Sequence, residues 1–96
     1  ILTHHGVVRG TSRSGEPVRG MELAVDHVRF ERALADAAAS PGVFAVRGWL
    51  NEGELAVGDD IMKVLVAGDI REHVFRTLEE LLATVKRDVV TEAELH

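Results

Sequence analysis

Apolar positions along this chain follow two periodicities, and the change from one to the other marks the elements. Residues 1–9, ILTHHGVVR, are rich in β-branched residues, and GTSRSGEP at 10–17 is dense in turn formers. That order predicts strand, loop and strand, with the second strand over 18–25 and a flexible loop carrying Arg13. Asp26 is placed to cap a helix running to about Ala39, whose buried stripe is expected to be Val28, Ala33, Leu34, Ala37 and Ala38. Ser40-Pro41-Gly42 stops it.

VFAVRGWLN at 43–51 predicts another strand and a turn at Asn51-Glu52-Gly53, and ELAVGDD leads into a strand at 61–67. Asp69 followed by Glu72 resembles a capping box that opens the last helix. Val74, Phe75, Leu78, Leu81, Leu82 and Val85 then recur at helical spacing, the strongest periodicity in the chain. The tail VVTEAEL reads as either a short strand or a frayed end. The class expected is α+β, an antiparallel sheet with two main helices, as one domain over residues 1–96.

Composition narrows the function classes. A content of 46 % hydrophobic residues in 96 supports a small core, and a domain this short often hides remaining apolar surface in an oligomer. The net charge of −5 and the lack of a basic run argue against nucleic acid or a membrane surface as partner, so any anion site must be local. With no cysteine there are no disulfides, thiolate metal sites or cysteine nucleophiles, which fits a reducing cytoplasm. No signal-peptide or membrane-span pattern is visible, and the start at Ile1 without a methionine leaves room for a preceding piece.

Nine arginines stand against two lysines, Lys63 and Lys86, so the positions that keep an amine are of interest. Arg71 at the first turn of the last helix and Lys86 at its last both flank the apolar stripe. The plain structural role for Lys86 is to complement the helix macrodipole and snorkel outward. Fifteen residues of helix separate Arg71 from Lys86 by about 22 Å, so one small-ligand site can use both only across two protomers. Lys63 alternates within IMKVLVA and is expected to point outward.

Other groups carry less. Adjacent His4 and His5 would face opposite sides of a strand, so a shared metal is not expected. His27 and His73 are expected on exposed helix faces, and Trp49 in packing or at an interface. The glycines at 6, 10, 15 and 20 match no phosphate-binding fingerprint and suit a hairpin loop. Ser12 and Ser14 lack an identifiable histidine and acid partner for nucleophilic use.

Three segments, GVVRGTSRSGEPVRGMEL, NEGELAVGDDIMKVLVAGDIREHVF and VKRDV, occur in the order and spacing of a known family. The chain thereby resembles the large, catalytic subunit of molybdopterin synthase. The resemblance implies an α/β hammerhead-like fold and a homodimer within a heterotetramer, with no cofactor or metal of its own. Its partner would be a small ubiquitin-like sulfur carrier with a C-terminal thiocarboxylate. The sulfur would pass to cyclic pyranopterin monophosphate, forming molybdopterin for the molybdenum cofactor. By match, Lys86 is the catalytic candidate that meets the carrier's terminal carbonyl, and Arg9 and Arg71 are substrate-binding candidates; Arg87, the cation next to Lys86, is expected to join them.

Guanidinium grips phosphate bidentately, whereas an amine can act on an acyl carbon as donor or nucleophile. A lysine with a reference pKa near 10.4 is only about 0.04 % neutral at pH 7, so nucleophilic use needs nearby cations such as Arg9, Arg87 or a partner's Arg71. A charged Lys86 would instead stabilise the oxyanion on that carbonyl. The chain departs from the family at Ile70, where the pattern has histidine, and at Glu92 and Ala93, where it has tryptophan and a second lysine. It also stops before the family's extended tail. The alternative is therefore a non-catalytic dimeric relative that binds the carrier without turnover, and beyond it an unrelated α+β interaction domain.

Overall fold

The computed structural model describes residues 1–12 and 14–96, so the expectation for Arg13 lies outside the described residues. Six strands run in chain order as β1 (Leu2–Val7), β2 (Gly20–Val25), β3 (Val43–Leu50), β4 (Gly53–Ala56), β5 (Asp60–Gly68) and β6 (Val90–Leu95). Helix α1 (His27–Ala38) follows β2, and α2 (Arg71–Thr84) follows β5 and runs into a π-helical turn at Val85–Val89. The class is α+β, as expected. The strands, however, form two antiparallel three-stranded sheets, β1-β5-β3 and β4-β2-β6, rather than one. Extents of 42 × 25 × 18 Å fit two layers side by side.

The first sheet buries one face under both helices. Val64 and Val66 on β5 and Val46 and Leu50 on β3 meet Phe30, Ala33 and Ala37 of α1 and Val74, Leu78 and Leu81 of α2. A Cβ at Gly48 would come 2.8 Å from Leu34 Cδ2 and 2.9 Å from Phe30 Cζ, so its absence lets α1 lie close on β3. The opposite face carries the cross-strand row His5, Lys63 and Trp49. Lys63 Nζ sits 5.7 Å from the Trp49 ring centroid, a cation–π contact on the outward side where its alternation put it. His5 also pairs with Asp60, whose pKa is lowered mainly by that bond and further by Lys63.

The second sheet packs Met21, Leu23 and Leu55 with Val8 as a smaller cluster. Val25 and Val90, paired across β2 and β6, touch both clusters and join them. The loop between β1 and β2 closes on itself through a Thr11–Pro17 bridge and a bond from Val18 N to Gly10 O of 2.9 Å. This is the hairpin loop that the glycine spacing suggested.

Several local expectations are corrected. The stripe of α1 is Phe30, Ala33 and Ala37 with Leu34 half-buried, while Val28 is 71 % exposed and Ala38 is also outside. On α2, Phe75 is 53 % exposed, and the core contact passes through Val74, Thr77, Leu78 and Leu81. Asp26 caps α1 as expected, accepting from Arg29 N at 3.0 Å. The Asp69/Glu72 capping box does not form: Ile70 is the N-cap of α2, with no side-chain cap. Asp69 instead accepts from Ile70 N at 2.6 Å and pairs with His73 at 2.8 Å. His73 is thus half-buried rather than exposed. Both bonds hold the Asp69 carboxyl below its ordinary range, His73 contributing most.

Gly42, at φ +80°, lies under this pair, where an added Cβ would overlap Asp69 and His73. The tail takes the strand reading, as β6. No helix among the described residues is long and apolar enough to cross a membrane.

Candidate active-site cleft

Where α2 ends, its backbone widens into the π-turn, a deviation often associated with function. Val85 (fully buried) and Val89 point into the helical core, and Asp26 N donates to Val89 O at 2.8 Å, fixing the turn against the start of α1. Two hydrophobic anchors thus hold three exposed or half-exposed residues between them, Lys86, Arg87 and Asp88. Successive helical residues point about 100° apart, which sends Lys86 and Arg87 to different sides.

Lys86 lines a cleft of ≈ 710 Å³ together with Arg9 and with Thr11, Ser12 and Ser14 of the hairpin loop. Its walls include Val8, Val18, Met21 and Ile61. Glu92 and Glu94 of β6 line it as well. The two glutamates pair with Leu23 and Met21, alternate residues of β2, and so face the same side of the sheet. Ala93 lies between them and alternates to the other side. The Ser12 and Ser14 hydroxyls bond to each other at 2.9 Å, and Ser12 Oγ accepts from Glu16 N at 3.1 Å, which shapes the rim. A volume of this size suits a small organic ligand with a few convergent polar groups.

The structure brings together two of the four expected site residues. Arg9 and Lys86 share the cleft. Arg87 lies in a second groove of ≈ 440 Å³ with Arg29 and Arg32, held by Asp88 at 3.0 Å, and that carboxylate raises its pKa. Arg71 opens α2 at the far end of the helix, the separation expected from the helix's length. Of the cations expected near Lys86, Arg9 alone lines the same cleft. Glu92 and Glu94 were missed as site residues. The signal was present as acids two apart in VTEAEL, but it carries meaning only once that tail is a strand.

The family described as MoaE protein matches residues 1–88. The chain belongs to the MoaE family. Its fold is shared with molybdopterin synthase from Staphylococcus aureus at a TM-score of 0.82 and 17 % identity, over 98 % of this chain and 72 % of that one. Molybdopterin cofactor biosynthesis protein E from Burkholderia multivorans is similar at a TM-score of 0.72 and 26 % identity, over 97 % and 66 %. A chain in the complex of subunits 1 and 2 of molybdopterin-converting factor from Helicobacter pylori 26695 matches at 0.74 and 15 %, over 97 % and 63 %. This MoaE-family chain therefore spans about two thirds of the length of these neighbours. No curated protein matches it. The family match stops at Asp88, leaving β6 and its two glutamates beyond it.

Proposed function

We propose that this chain is the catalytic subunit of a molybdopterin synthase in molybdenum cofactor biosynthesis. It accepts sulfur from a thiocarboxylated ubiquitin-like carrier and transfers it to cyclic pyranopterin monophosphate. The observation that carries this reading is the single cleft that joins Arg9 and Lys86 in a chain of the MoaE family. Arg9 offers a fork of donors to the substrate's phosphate, and the loop hydroxyls beside it add neutral donors. Lys86 meets the carrier's terminal carbonyl as a donor, stabilising the oxyanion that forms when water adds to the acyl carbon; collapse of that adduct breaks the carbon–sulfur bond, leaving sulfur on the substrate and a carboxylate on the carrier.

The carrier reading draws support from the Helicobacter pylori neighbour, a complex of two converting-factor subunits. Arg71, remote from Lys86 along one helix, serves the site as a residue supplied by a second protomer of a homodimer. Arg87 is turned toward the second groove and held by Asp88, so the chemistry of the cleft is assigned to Arg9 and Lys86. The test is a cytoplasm-like reducing assay with thiocarboxylated carrier and precursor, scored for molybdopterin. Wild type turns over and Lys86→Ala does not; equal activity removes Lys86 from the mechanism.

A non-catalytic, carrier-binding relative is the second reading. It is favoured by Ala93, which stands where the family's pattern has its second lysine and alternates away from the cleft. Carrier binding without product at high precursor concentration selects it.

A further inference from the structure

Two cations and two carboxylates line the same cleft: Arg9 and Lys86, with Glu92 and Glu94 of β6. Among the described residues, no ion pair within 4.0 Å joins either cation to either glutamate. All four charges are thus available to a ligand rather than consumed by one another. A ligand that is only an anion would gain nothing from the glutamates and would be repelled by them. A molecule that carries both a phosphate and a cluster of hydrogen-bond donors can use both kinds of charge.

We propose that Glu92 and Glu94 read the 2-amino-4-oxo-pyrimidine edge of a phosphorylated pteridine whose phosphate lies against Arg9. That edge presents an exocyclic amine and the adjacent ring N–H side by side, a spacing that matches the two oxygens of one carboxylate. The second glutamate, two residues along the strand and on the same face, stands beside it to take the remaining amine proton. The apolar walls, Val8, Val18, Met21 and Ile61, suit the flat face of the bicycle. The glutamates act as specificity-determining residues, distinct from the phosphate grip. They belong to β6, outside the matched family segment, so the property is one of this chain's own residues. The proposal rests on the reading of the cleft as a phosphorylated-pterin site.

Calorimetric titration of the full chain with neopterin monophosphate and with its 2-oxo counterpart tests it. In the 2-oxo compound a carbonyl oxygen replaces the exocyclic amine and faces the carboxylate as a second acceptor. Wild type is expected to bind the amino compound at least about tenfold tighter, the scale of a charge-assisted hydrogen bond. The Glu92→Gln/Glu94→Gln variant loses that preference yet still binds inorganic phosphate. Arg9→Ala weakens both pteridines alike. Equal wild-type affinity for the two compounds, with Arg9→Ala weakening each, overturns the role of the glutamates and leaves the phosphate reading standing. Binding of neither compound overturns both. The glutamates are exposed, so the glutamine variant keeps its fold, checked by an unchanged circular dichroism spectrum.

Discussion

Val85→Ala tests whether the π-turn is held by its apolar anchors and whether that hold is what presents Lys86. Val85 is 0 % exposed and belongs to the helical core. Truncation removes two carbon groups, about 1.6 kcal/mol at about 0.8 kcal/mol each, and the cavity left in a tightly packed site brings the loss to roughly 2–3 kcal/mol. Urea unfolding followed by circular dichroism should show the midpoint falling by about 1–2 M with the slope unchanged. Lys86→Ala, one residue on, removes an exposed side chain and should stay within about 0.5 kcal/mol. The contrast between neighbours is what decides. If Lys86→Ala destabilises as much as Val85→Ala, the division of the turn into buried anchors and a presented lysine is wrong.

Other outcomes follow from named contacts. Glu92→Lys adds a cation facing the cleft and should strengthen inorganic phosphate binding severalfold in a titration, whereas Ala93→Lys, on the opposite face of β6, should leave it unchanged; the reverse would shift the register of β6 by one residue. Gly42→Ala forces a side chain into a left-handed backbone and against the Asp69–His73 pair, so its thermal or urea stability should drop by roughly 2 kcal/mol or more. Asp69 has a depressed folded pKa, so its stabilising contribution is full above its ordinary 3.8 and disappears as pH falls through the folded value. Stability curves of wild type and Asp69→Asn should therefore differ at neutral pH and converge in strong acid; a constant gap would refute the linkage.

The last helix and the central strands were legible because their burial is one-sided. Leu78 and Leu81 keep helical spacing over one packed face, and Val64 and Val66 alternate on β5. Strand β4 was not legible: it has four residues, Gly-Glu-Leu-Ala, of which only Leu55 is buried. Val28 and Phe75 misled because hydrophobicity alone does not place a residue on the covered side of a helix, and Phe30 outcompeted Val28 for the close approach at Gly48. The π-turn leaves no mark in VKRDV beyond valines four apart, since a change of hydrogen-bond partner is a backbone event. At the cleft, Arg9 and Lys86 came from the segments GVVR and VKRDV. The glutamates that line it too depended on a strand pairing that joins residues about 70 apart in the chain.

The uneven division of the interior between two clusters, joined at Val25 and Val90, sets where the molecule yields first. The helical side holds 12 buried residues and the cleft side holds Val8, Met21, Leu23 and Leu55. Local opening follows the poorer-packed unit, so amide hydrogens of β2 and β4 should exchange faster than those of β5. The loop with Arg9 and the strand with Glu92 and Glu94 ride on that weaker half, while Lys86 is rooted in the stronger one. The cleft is thus a seam between a more densely packed half, which holds the lysine, and a more sparsely packed one.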